Sequence, residues 1–135
     1  MSGERDTLLE AAKQAMARAY SPYSKFRVGA ALEADDGTVF LGCNVENASY
    51  GGTICAERTA MVSAVVAGKR RFRRIAITSD AEQPVSPCGY CRQFLVEFGR
   101  ELEVISRGAQ GSVKRWTLGE LLPEAFTGAD FVEGQ

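Results

Sequence analysis

The order of elements readable in this 135-residue chain, α-β-β-α-β-α-β-β-α, calls for a mixed β-sheet with helices on its faces. Two local patterns support that architecture. Ile75-Ala76-Ile77 is an uninterrupted apolar run, the mark of a strand covered on both sides. Asp35-Asp36-Gly37 is a tight-turn sequence between two strand-like segments, which makes a hairpin.

From the N-terminus, Leu8, Leu9, Ala12, Ala15, Met16 and Ala19 form a helical stripe over Thr7 to Ala19, broken by Ser21-Pro22-Tyr23-Ser24. Val28 to Glu33 and Thr38 to Val45 are the hairpin strands, and the polar, glycine-bearing Asn44 to Thr53 is a loop. Ile54 to Ala67 is rich in Ala, Val and Met, with Thr53 placed to cap it and Gly68 to stop it. Phe72 to Thr78 is the buried strand. Ser86-Pro87 has the form of an N-cap followed by a first-turn proline, so a helix is expected to run on to Phe98 and end at Gly99. Leu102 to Ser106 and Ser112 to Trp116 are two further strands, and Thr117 to Leu122 is a short helix stopped by Pro123. No repeat or boundary signal divides the chain, and residues 1–135 read as one domain.

Composition narrows the function. The net charge of −1, from 16 basic and 17 acidic residues, disfavours a nucleic-acid binder. Met1 to Asp6 lacks the apolar stretch of a secretory signal, and no segment has the length and apolarity of a bilayer span. A cytoplasmic protein without a membrane partner is expected, in which four cysteines point to metal or burial and not to disulfides. The chain has no histidine. That removes Ser-His-Asp triads and Cys-His pairs, leaves acid–base work to carboxylates, Lys, Tyr or Cys, and makes any transition-metal site a sulfur site.

Cys55-Ala56-Glu57, followed by Pro87-Cys88-Gly89-Tyr90-Cys91, meets that description. Cys88 and Cys91, three residues apart on a first helical turn, present their sulfurs to one side. Cys55 opens another helix. Three ligands leave the fourth corner of a zinc ion open, as a catalytic site requires, and Glu57 stands beside it to move protons. Cys43 lies in an apolar strand and reads as core. A zinc ion with three thiolates carries a net negative charge, which weakens it as a Lewis acid. Arg58 is the residue expected to draw charge from a sulfur, with Gln93 orienting it.

Over nearly its whole length the chain resembles the small homotetrameric cytidine deaminases. The resemblance runs through Ser21-Pro22-Tyr23-Ser24, Val28-Gly29-Ala30-Ala31, Gly42 to Ala48, Cys55 to Ala60, Ser86 to Gln93, and Glu120-Leu121-Leu122-Pro123 with Phe126. It implies an α/β/α sandwich around a sheet of five strands, one zinc ion per subunit held by Cys55, Cys88 and Cys91, and proton transfer by Glu57, beside which Arg58 is the catalytic residue that the charge argument adds. It also implies hydrolysis of cytidine and 2′-deoxycytidine to uridine and 2′-deoxyuridine with release of ammonia, in pyrimidine salvage. Asn44 and Glu46 resemble the residues that hold the ribose, and Phe26, with Val28 nearby, the aromatic packed on the pyrimidine. The amides of Cys55 and Ala56 and the carbonyl of Ser86 would read the base edge. Ala48, Tyr50 and Phe126 resemble residues that reach the site from neighbouring subunits of a homotetramer. Tyr90, between two ligand cysteines, and Gly51-Gly52 depart from the common pattern and bear on the pocket rim. Two rival readings remain from the residues. The basic run Lys69 to Arg74 would suit a deaminase of polymeric RNA or DNA, and a closed metal sphere would suit a non-enzymatic zinc module.

Overall fold

A computed structural model describes residues 3–131. The chain forms one five-stranded sheet in the order β2-β1-β3-β4-β5, from β1 (Val28–Ala34), β2 (Val39–Cys43), β3 (Phe72–Ser79), β4 (Glu103–Arg107) and β5 (Val113–Thr117). Only β3 and β4 run parallel; the other neighbours are antiparallel. A parallel pair needs a crossover, and here it contains α3 (Gly89–Val96).

Strand alternation sorts the side chains into two cores. Ala30, Leu32, Ile75, Ile77 and Val104 face α2 (Ala56–Val66), α3 and α4 (Leu118–Leu121) in one buried cluster. Ala31, Ala76 and Ile105 face Leu8, Leu9 and Ala12 of α1 (Gly3–Met16) in the other. Adjacent residues on one strand thus serve opposite layers, which is why the central strands read as unbroken apolar runs. The α/β/α sandwich is as expected.

Close packing of α2 on the sheet depends on Gly42. A Cβ there would lie 2.3 Å from Ala56 O and 2.4 Å from Ala60 N, both backbone atoms of the helix start. At the other end Gly68, with φ +92°, takes the left-handed conformation that stops the helix.

Helix starts are where the structure departs from expectation. Cys55, not Thr53, is the N-cap of α2, because Ile54 is still extended and bridges Val45. Cys88, not Ser86, caps α3: its sulfur accepts the Cys91 amide at 3.5 Å, taking the place of a serine oxygen. The hydroxyl of Ser86 is bonded instead by Arg92 Nη2 at 2.7 Å. The third helix also ends at Val96, short of Phe98. The first begins at Gly3, where the Thr7 hydroxyl donates back to Gly3 O at 2.7 Å, and stops at Met16. The return strand is shorter than expected, and the following loop contains a single 3₁₀ turn at Tyr50–Gly52. Thr117 caps α4 in a reciprocal capping box with Glu120.

Candidate active site and metal centre

The N-termini of α2 and α3 meet, and the meeting point carries the sulfurs. Cys55, Cys88 and Cys91 place their Sγ atoms within 4.8 Å of one another. Cys91 is buried, Cys55 half-buried and Cys88 exposed, so the cluster opens to one side. Cys43 stands apart, its thiol donating to Arg18 O at 3.5 Å.

The charges in this cluster are informative. The Cys55 thiol is pulled down to about 5, first by a hydrogen bond from Cys91 and further by Arg58. Cys91 is pushed the other way by that same bond, by burial and by the Glu57 carboxylate. Sulfurs this close ionise one at a time; a divalent cation is what lets all three become thiolates together. The donor set therefore fits zinc, and three protein ligands match the open type of zinc site.

Glu57 follows directly in the first turn of α2 and is 5% exposed. Burial is the main force on its carboxyl, raising it to about 7, with the Cys55 charge adding to the rise. Arg58 sits one residue on. Its Nη2 donates to Thr53 O at 3.2 Å and to Cys55 Sγ at 3.8 Å, and its guanidinium lies 4.4 Å from the centre of the Tyr90 ring. Gln93 does not orient it: the Gln93 amide donates to Phe126 O at 2.8 Å. The two residues sit on different helices, and Tyr90 is the one that reaches across.

Above the sulfurs lies a cavity of about 350 Å³, lined by Cys55, Ala56, Glu57, Ser86 and Cys88 on the helix side and by Phe26, Val28, Asn44 and Glu46 on the sheet side. Ser24, Thr53 and Val85 complete it. Asn44 uses its side chain on neighbouring backbone and not on its own turn, with Oδ1 accepting from Val28 N at 2.9 Å. The Glu46 carboxylate accepts from Tyr23 N at 2.9 Å, Ser24 N at 3.1 Å and the Ser24 hydroxyl. Those bonds, the Ser24 hydroxyl foremost, hold its carboxyl below the ordinary range.

Three expected site residues lie elsewhere. Tyr50 lines an adjoining cavity of about 420 Å³ with Tyr23, sharing Ser24, Glu46 and Thr53 with the first. Ala48 is exposed, and Phe126 packs edge-on against Phe131 at the surface. Tyr90 is not on the rim of the main cavity, and neither is Gly51 or Gly52. Sequence reading missed Ser24, Thr53 and Arg92. Ser24 and Thr53 sat in segments legible only as a helix break and a cap. Arg92 looked like part of a motif, yet it ties Pro87 O and Leu121 O at 2.7 and 2.8 Å to the Ser86 hydroxyl.

The basic run lies beyond the C-terminus of α2, roughly 16 Å along that helix from Cys55 at 1.5 Å per residue. Lys69 pairs with Asp36 at 2.6 Å, Arg70 bonds carbonyls of Val65 and Lys69, and Arg74 contacts Glu4, Glu33 and Glu103. No described helix is long and apolar enough to cross a membrane.

This combination of fold and site has counterparts. The family model for the cytidine and deoxycytidylate deaminase zinc-binding region matches residues 2–106. The chain belongs to this deaminase family. Among curated relatives, the cytidine deaminase of Sporosarcina psychrophila is 48% identical over 126 residues, 93% of each chain. That of Halalkalibacterium halodurans is 48% identical over 128 residues, 94% of this chain and 97% of its own. Among solved structures, the cytidine deaminase from Burkholderia pseudomallei superposes with TM-score 0.87 at 53% identity, covering 90% of this chain and 98% of that one. The Mycobacterium tuberculosis cytidine deaminase gives 0.79 at 43% identity, covering 90% and 95%. Within the deaminase family the zinc-binding region is the named feature, and the sulfur cluster is where this chain provides it.

Proposed function

We propose that this protein is a cytidine deaminase that hydrolyses cytidine and 2′-deoxycytidine to the uridine nucleosides and ammonia. The single observation that supports it best is the buried Glu57 carboxyl beside a three-sulfur cluster at the floor of a cavity sized for a nucleoside. When bound, zinc supplies Lewis acidity and lowers the pKa of water at its open position. Cys55, Cys88 and Cys91 hold it, and Arg58 offsets the thiolate charge at Cys55.

Glu57 takes a proton from the attacking water and delivers it to the ring N3. It then takes the remaining proton of the added hydroxyl as the C4 carbonyl forms and gives it to the amine, whose bond to C4 breaks to release ammonia. Its burial keeps those protons from leaking to bulk solvent. Phe26 packs on the pyrimidine, with Val28 beside it. The first-turn amides of α2, at Cys55 and Ala56, and the Ser86 carbonyl orient the base; helix-start amides lack intrahelical partners and suit that task. Asn44 and Glu46 receive the ribose.

The family's name covers nucleosides and nucleotides alike, and one observation favours the nucleoside. The main cavity is lined by two carboxylates, Glu46 and Glu57, and by no Lys or Arg among the described residues. A phosphate there would face like charge without a counter-ion.

The remaining parts of the proposal concern context. Residues 1–135 form one catalytic domain, active in the cytoplasm and in pyrimidine salvage. Four copies assemble, with Ala48, Tyr50 and Phe126 serving a neighbour's site; the exposure of Tyr50 at 77% and Phe126 at 54% supports this. The deciding experiment follows loss of the cytidine ultraviolet band together with ammonia release, before chelation, after it, and after zinc is restored. Activity that tracks zinc, with deoxycytidylate turned over far more slowly, is the expected result. Full activity in metal-stripped protein overturns the mechanism, and solution mass tests the tetramer.

A further inference from the structure

We propose that Tyr90 is a positioning residue for the metal centre, fixing the plane of the Arg58 guanidinium so that it faces the Cys55 sulfur. The two well-formed hydrogen bonds of Arg58 at the site leave from one nitrogen, Nη2, to Thr53 O and Cys55 Sγ, and the Cys91 sulfur adds a weaker attraction. Its Nε is buried and has no hydrogen-bond partner. Tethered through Cδ and anchored at Nη2, the planar group can still turn about the line joining those two points, so these bonds alone do not fix its plane. The guanidinium carbon lies over the Tyr90 ring, 4.4 Å from its centre, and that contact supplies the missing constraint. The negative face of the ring also favours the cation there.

The location explains why this position can do it. Tyr90 lies in the first turn of α3, between the N-cap Cys88 and Cys91. Arg58 also lies in the first turn of its helix, α2. The contact joins the two helix starts that carry the ligands. A cation held against a ligand sulfur offsets the negative charge that three sulfurs gather around the ion, so the effect of the ring should appear in how firmly the ion is kept. The proposal rests on the three-sulfur zinc site and not on which nucleoside is hydrolysed, so its failure is distinguishable from failure of the deaminase reading.

The test measures zinc release from the full-length, zinc-loaded protein into an excess of chromophoric chelator, with no substrate present. Tyr90→Phe, which keeps the π face, is expected to release zinc at the unmodified rate. Tyr90→Leu keeps apolar bulk without that face and is expected to release it about threefold to tenfold faster. In an Arg58→Gln background the Leu substitution should add nothing, because the group that it positions is gone. A Tyr90→Leu protein that releases zinc at the unmodified rate overturns the proposal. So does a Tyr90→Phe protein as fast as the Leu variant, or a Leu effect that persists undiminished without Arg58.

Discussion

Asn44 fastens Phe26: its Nδ2 donates to the Phe26 carbonyl at 2.8 Å while Oδ1 accepts from Val28 N, so the segment carrying the aromatic wall is tied to the end of β2. Asn44 is 8% exposed, so water does not replace these bonds readily. Asn44→Asp keeps the size but sets an acceptor against an acceptor at Phe26 O. It is expected to cost about 1–3 kcal/mol, read as a lower urea midpoint at unchanged slope. Steady-state kinetics should show a raised KM for cytidine as Phe26 loosens.

Glu57 is the acid–base group of the proposed mechanism, and Glu57→Gln is nearly isosteric. The variant should retain zinc by elemental analysis and lose at least about 10²–10⁴-fold in kcat. A near-native rate in a zinc-bearing Glu57→Gln protein would remove Glu57 from the chemistry.

Gly42→Ala tests the seating of α2. The added Cβ would meet the backbone at Ala56 and Ala60, which cannot swing aside as a side-chain tip can. The helix must shift, at about 1–3 kcal/mol, and Cys55 and Glu57 shift with it. Reduced thermal stability together with a fall in kcat is expected; native values of both would show that the seat is softer than its geometry implies.

Glu103 governs acid stability. Its carboxyl is desolvated, which favours protonation, yet bonds from Arg5 and Arg115 outweigh that and hold it below the ordinary range. Arg74 adds a contact at 3.2 Å. Because the folded pKa is depressed, the contribution is complete above the ordinary carboxyl value of about 4.3 and is lost as pH falls through the lower folded value. Thermal midpoints from neutrality to about pH 2 should fall steeply in that acid window. In Glu103→Gln the curve should start lower and run flatter there. Parallel curves for the two proteins would assign the acid sensitivity elsewhere.

Much of this was legible in the residues. The metal cluster was readable because ligand chemistry is local: Cys88 and Cys91 share one turn, and Cys55-Ala56-Glu57 sets ligand and acid side by side. The sheet was readable because strand alternation is local too. The illegible parts depend on partners distant in sequence or on an unusual atom. Sulfur replaced oxygen as the cap of α3, so the Ser86-Pro87 signal misplaced its start. Arg58 finds Tyr90 and not Gln93 only once α2 and α3 are packed. Ser24 reaches Glu46 because Tyr20 bridges Val45, bringing the loop that follows Tyr20 alongside β2.

The division of labour between the two helix starts has its own outcome. Ligand, acid and cation at Cys55, Glu57 and Arg58 ride together on one rigid rod, whereas Cys88 and Cys91 ride on another. Any disturbance that parts the rods leaves proton donor and guanidinium in register but splits the ion's cage in two. Heat or denaturant should therefore release the metal, and turnover with it, while α2 still holds Glu57 and Arg58 in place, so that inactivation precedes global unfolding.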